Sequence, residues 1–270
     1  MLKITLSLLL LIFSFIDAVN IHKILNNIPE EDREILRSLF FTIFCEDHAC
    51  YTLFGDKPIS LSGHFAYTPP ENILEGMQCG GIFWKKWEVW EKYSHLFQIK
   101  KFLLLKEESW SSDHKILNVI FINKKEFIKA ITKHLFLFEH LLERKIIPEE
   151  MLENIELKKI SFTNSIANNQ ILWGILLGYG KHNSILYNRR NYSDSFILSD
   201  PPLINSLIQL KYFGDYSITP LPIASVHFVA DKEHQETKLL EKKYERLRGK
   251  ISEIYSKGDF LEITLESVVN

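Results

Sequence analysis

Two short segments carry polar groups out of apolar surroundings. Asp56 and Lys57 sit in Gly55-Asp56-Lys57-Pro58, and Lys181, His182 and Asn183 follow Gly180 after the apolar run Asn164–Gly178. Loops held by rigid elements are where binding groups collect. Pro58 fixes its own φ and stiffens the first turn. His182 adds the side-chain type that changes charge near neutral pH. The expectation is that the two turns meet and line one pocket, with Tyr179 as an aromatic wall. Asp56, Lys57, Tyr179, Lys181, His182 and Asn183 are then the ligand-binding candidates. The plainer account is that Asp56 and Lys57 decorate a solvated turn, while Lys181 and His182 answer the negative end of a helix.

Other constellations carry less. Cys45-Glu46-Asp47-His48-Ala49-Cys50 holds two thiols, an imidazole and two carboxylates. Zinc needs about four converging ligands, and helical spacing turns Cys50 away from Cys45 and His48. No metal or cofactor is expected, and no residue is named as a nucleophile or base. Trp84, Trp87 and Trp90 recur every third residue, a stripe that reads as a core face opposite Lys85, Lys86, Glu88 and Glu91. Glu88 and Glu91 lie on one helix and do not flank a sugar as a glycosidase pair must. Gly174, Gly178 and Gly180 before Lys181 lack the spacing of a phosphate loop. They fit close helix packing and a helix end instead.

The elements that must position these groups are a mixture of helices and strands, so the class is mixed α/β or α+β. Pro29 and the acids Glu30, Glu31 and Asp32 open a helix reaching about Phe44. Tyr51–Gly55 reads as extended, and Ile59–Ser62 alternates like a half-buried strand. An aromatic helix spans about Gly81–Phe97. Lys101–Leu105 and Ile116–Asn123 form a hairpin, followed by helices over Lys124–Lys145, from Pro148, over Asn164–Gly178 and around Leu203–Tyr212. At the end of the chain Ala224–Ala230, Lys232–Lys257 and Leu261–Glu266 read as strand, helix and strand. The seam Leu240, Tyr244, Leu247, Ile251 and Ile254 is expected to pack on the sheet those strands join. No repeat or linker divides the chain, so residues 19–270 are expected to form a single domain with a central mixed sheet flanked by helices.

The first eighteen residues hold Lys3, the apolar stretch Ile4–Ile16 and a small Ala18, the pattern of a cleavable export signal. The run is short for a membrane span, so an exported chain with no stable span after cleavage is expected. A formal net charge of −2 speaks against bulk electrostatic binding to nucleic acid. Three cysteines, Cys45, Cys50 and Cys79, permit one disulfide in an oxidising compartment. In an unbroken helix Cys45 and Cys50 would lie about 8 Å apart, beyond the roughly 7 Å reach of a bridge. A helix end between them makes the bridge feasible.

Three strings spread along the chain resemble elements of uncharacterised secreted proteins of chlamydia-like intracellular bacteria. They are Tyr51–Pro58, Gly174–Gly180 followed by Asn183, and Phe228-Val229-Ala230-Asp231 with Glu236, Thr237, Leu240 and Tyr244. The resemblance implies export from a bacterium and brings no activity or cofactor with it. Two functions are expected from the whole reading. One is a non-catalytic interaction or binding module. The other is a small-molecule-binding protein or hydrolase with a pocket near the Gly55–Pro58 and Tyr179–Asn183 turns.

Overall fold

The computed structural model describes residues 20–65, 81–111, 114–192, 221–226 and 228–270. The expected export signal over residues 1–18, Cys79 and the helix expected around Leu203–Tyr212 lie outside the described residues. In chain order the elements are α1 (Ile21–Asn26), α2 (Glu30–Phe41), α3 (Ala49–Leu53), β1 (Ile59–Phe65), α4 (Gly81–Tyr93), β2 (Phe102–Ser111), β3 (His114–Asn123), α5 (Lys124–Lys133), α6 (Leu135–Leu142), α7 (Pro148–Glu156), α8 (Phe162–Ser165), α9 (Gln170–Leu176), α10 (Lys181–Tyr192), α11 (Gln235–Tyr255) and α12 (Phe260–Val269). The architecture is mixed α+β.

Among the described residues the sheet has three strands in the order β1-β3-β2, antiparallel throughout rather than mixed. Ile59 pairs with Ile122 on one side, and Leu104 pairs with Phe121 on the other. Side chains alternate across a strand, and here both faces are buried. Leu117, Val119 and Phe121 enter one apolar cluster with residues of α1 to α4, α11 and α12. Ile120 and Ile122, with Ile59, enter a second cluster made by α5 to α9. Burial on both faces explains why β3 reads as a nearly unbroken apolar run. Each such side chain taken out of water contributes about 1.5–3 kcal/mol.

The tryptophan stripe is core. Trp87 and Trp90 are each 4% exposed. Trp90 packs edge-on to Phe40, with ring centroids 5.1 Å apart, and stacks with Phe97 at 5.5 Å.

Several expectations need correction, each for an identifiable reason. Tyr51–Leu53 is helical, part of α3, because the chain kinks rather than unwinds after α2. A π-helical turn spans Thr42–Glu46, and His48 adopts φ of 69° before α3 begins. The helix does end between Cys45 and Cys50, yet both are free thiols. Lys124–Lys145 is two helices with a break at His134. Asn164–Gly178 is also divided: Ala167 and Asn168 take positive φ, and Asn169 starts α9 by accepting from Ile171 N (3.0 Å) and Leu172 N (3.2 Å).

The expected C-terminal strand–helix–strand unit is absent. Ala224–Ala230 joins no ladder among the described residues; part of its backbone is held by other groups. Ala224 N donates to Cys45 O (3.0 Å), the Tyr51 hydroxyl donates to Ala224 O (3.0 Å), and His48 Nε2 lies 2.7 Å from Ser225 O. Leu261–Glu266 lies within helix α12. Asp259 caps it by accepting from Glu262 N at 3.0 Å, and Phe260, Leu261, Thr264, Leu265, Val268 and Val269 are buried at helical spacing. The alternation of Leu261, Ile263 and Leu265 was a coincidence of short period. Tyr244 and Ile251 of the α11 seam enter the first cluster against other helices, with Leu240 and Leu247 packed alongside.

Candidate functional site

The two polar turns do meet, and so do the three quoted strings. Gly178, at φ of 79°, is the contact point: a methyl group there would lie 2.4 Å from the Tyr244 hydroxyl and 3.3 Å from Lys57 Cγ. Only glycine takes both that φ and that proximity at no cost. The Tyr244 hydroxyl donates to Gly178 O at 2.7 Å, and the Tyr244 ring stands edge-on to Tyr51 with centroids 5.6 Å apart.

Most of the polar groups at this junction are spent on holding it together. Lys181 and His182 do not close a helix; they open α10. Its first turn is capped by a distant carboxylate: Lys181 N donates to Glu236 Oε1 (3.2 Å) and His182 N to Glu236 Oε2 (2.8 Å). An anion at a helix N-terminus meets unpaired N–H groups and the positive end of the dipole. The expectation that the cations answer a helix C-terminus is therefore reversed. Asn183 is 1% exposed. Its amide donates to Tyr179 O (2.9 Å) and accepts from Asp231 N (3.2 Å) and the Thr237 hydroxyl (3.0 Å). The His182 ring stacks on His234 at 3.6 Å, and its Nε2 stands 3.6 Å from Asp231 Oδ2. Asp56 pairs with Lys243 at 2.7 Å on the rim of a cleft of about 260 Å³ that also includes Gly178, Gly180 and His134. Lys57, Tyr179, Lys181, His182 and Asn183 do not line that cleft.

Lys57 is a buried ammonium. It is 1% exposed, and burial pushes its ammonium down to about 7 from 10.5. Its Nζ donates to Ser60 Oγ at 2.9 Å. Ser60 Oγ in turn donates to His48 O (3.0 Å) and lies 2.9 Å from the Thr52 hydroxyl. A lysine beside a serine has the atoms of an acyl-transfer pair. Here the serine proton points to a backbone carbonyl, and Ser60 is 2% exposed. In this arrangement the pair ties β1 to the backbone just before α3.

A different cavity has the features of a binding site. About 640 Å³ of space lies between the sheet, α8 to α10 and Phe228–Val229, within the usual range for small-molecule pockets. It includes two of the six candidate residues, Tyr179 and Asn183. The inward face of β3 supplies it. That face runs Ile122, Ile120 and then Asn118, so the strand changes from apolar to amide where it reaches the cavity. Asn118 Nδ2 donates to Ser109 Oγ at 2.9 Å across the β2–β3 pair. From α9, Trp173 faces the cavity, its Nε1 donating to Asn168 Oδ1 at 3.2 Å. Gly174 lets α10 approach so closely that a Cβ would meet Ser184 Oγ at 2.5 Å. Tyr179 stacks on Phe228 at 4.9 Å, and burial lifts its phenol to about 12, so it stays neutral. None of the fifteen described lining residues carries a formal charge.

Of the expected ligand-binding residues this cavity includes Tyr179 and Asn183, and its other lining residues were not among them. The missed signal was available in two places: Asn118 interrupting an apolar strand, and Asn168-Asn169 interrupting an apolar helix. Among the described residues no group of His, Cys, Asp or Glu is placed to hold a metal, and no helix is long and apolar enough to cross a membrane. No protein-family model matches the chain, and neither the curated proteins nor the solved structures give a significant match.

Proposed function

We propose that this chain is an exported, non-catalytic binding protein that holds a small uncharged ligand in the cavity lined by Asn118, Trp173 and Tyr179. The observation that carries the reading is a cavity of ligand size whose described lining mixes aromatic and aliphatic side chains with amides and hydroxyls. General acid–base or nucleophilic chemistry needs a titratable or activated group at the reacting atom, and among the described lining residues the acidic side chains are two phenols, Tyr179 and Tyr187. Export is supported by the Lys3, Ile4–Ile16 and Ala18 pattern, and by the resemblance to secreted proteins of chlamydia-like bacteria. Ligand-observed NMR on the mature chain with a library of neutral fragments tests the reading. Hits are expected on the wild type and not on Leu177→Trp, which fills the cavity from the residue that follows α9, and the hits should be recovered chemically unchanged. Hits that persist in a folded Leu177→Trp variant, or that are turned over, refute it.

A further inference from the structure

The lining of the same cavity also selects a class of ligand, an inference that rests on the reading just given. Three properties converge. First, no cation or carboxylate lines it among the described residues, so a phosphate, acid or ammonium would meet no counter-charge from them, which is strongly unfavourable on burial. Second, flat apolar surface comes from several sides: Trp173 from α9, the stacked Tyr179–Phe228 pair, and Tyr187, 42% exposed at the mouth. Third, polar groups with spare capacity stand between these rings. Asn118 commits its nitrogen to Ser109, and its Oδ1 faces Gly63, the strand partner whose missing side chain leaves that oxygen uncovered. Asn168 commits its oxygen to Trp173 and keeps its nitrogen. The Tyr179 hydroxyl has no hydrogen bond among the described residues.

A wholly apolar ligand would strand these amide and hydroxyl groups, whose desolvation is costly. A ligand with alternating donors and acceptors on its edge and C–H groups on its faces satisfies both parts of the lining. We propose that the cavity is a carbohydrate site, taking an uncharged pyranose or disaccharide. Its C–H face lies on Trp173 or Tyr187, and its hydroxyls meet Asn118 Oδ1, Asn168 Nδ2 and the Tyr179 hydroxyl.

Isothermal titration and saturation-transfer NMR on the mature chain test this with defined probes. The panel holds glucose, galactose, mannose, N-acetylglucosamine, maltose and cellobiose, with glucose phosphate, glucuronate and glucosamine as charged counterparts, and uridine as a neutral aromatic control. At least one neutral sugar is expected to bind, with its charged counterpart weaker by roughly ten-fold or more. Asn118→Leu and Tyr187→Ala should each weaken the sugar by a similar factor. Tyr187 is exposed, so Tyr187→Ala should keep the wild-type melting temperature, while Asn118→Leu loses one hydrogen bond to Ser109 and should remain folded with at most a small drop. Equal binding of a sugar and its phosphate overturns the proposal, as does sugar binding that ignores both variants. Uridine or neutral fragments that bind and are lost in Leu177→Trp, with no sugar bound, overturn the sugar assignment and leave the binding-protein reading standing. If nothing in either panel binds, both fall.

Discussion

Replacing Lys57 by methionine should stabilise the protein near neutral pH and do little at high pH. Lys57 is 1% exposed, and its ammonium is pushed down to about 7 from 10.5 by burial. The unfolded chain therefore holds one proton more than the folded chain between those two values. Stability rises with pH wherever the unfolded state binds more protons. The wild type thus carries its largest penalty below about pH 7, and sheds it progressively up to 10.5. At about 1.4 kcal/mol per unit, the full penalty is of order 5 kcal/mol. Methionine matches the length of the stem without the charge and loses one hydrogen bond to Ser60, worth about 1 kcal/mol. Ser60 itself keeps His48 O and Thr52 as partners. Lys57→Met is expected to be more stable than wild type by roughly 2–4 kcal/mol at about pH 6, with the gain falling toward zero at about pH 10. Urea unfolding of both proteins at several pH values reads this directly, because every other titrating group cancels in the difference. A difference that does not change with pH would refute the argument. So would a variant that is less stable than wild type at about pH 6.

Asp259→Ala should cost about 1–2 kcal/mol in urea unfolding, since Asp259 both caps α12 and pairs with Arg37 at 2.6 Å, and Asp259→Ser should recover the capping part. Expressed with its first eighteen residues in a bacterium, the chain should be exported and begin near Val19, which intact mass reads; a product retaining Met1 would count against export. In that product Cys45 and Cys50 should resist alkylation until urea is added, because both are buried and burial raises their thiols away from the reactive thiolate. A bridge between them, or rapid native-state labelling, would contradict the structure.

How much was legible in the sequence follows from how local each determinant is. The residues around α2 announce it with Pro29 and three acids, and α7 does so with Pro148 followed by Glu149 and Glu150. The β2–β3 hairpin and the helical spacing of α11 are likewise patterns of near neighbours. The C-terminal segment failed because Leu261, Ile263 and Leu265 satisfy a strand period, while the deciding signal, Asp259 with Glu262 three residues on, is a cap that the alternation masked. Lys181, His182 and Asn183 were recognised as a polar group, but their roles depend on Glu236, Thr237 and Asp231, some fifty residues away. No local rule states that a glutamate there will open α10, or that Asn183 will be consumed by a clasp. The cavity is the extreme case. The sequence determined that Asn118, Trp173 and Tyr179 exist on a strand, a helix and a turn. Only the packing of α9 and α10 over the end of a three-stranded sheet brought them to one space, because a void is defined by what surrounds it and not by any one segment.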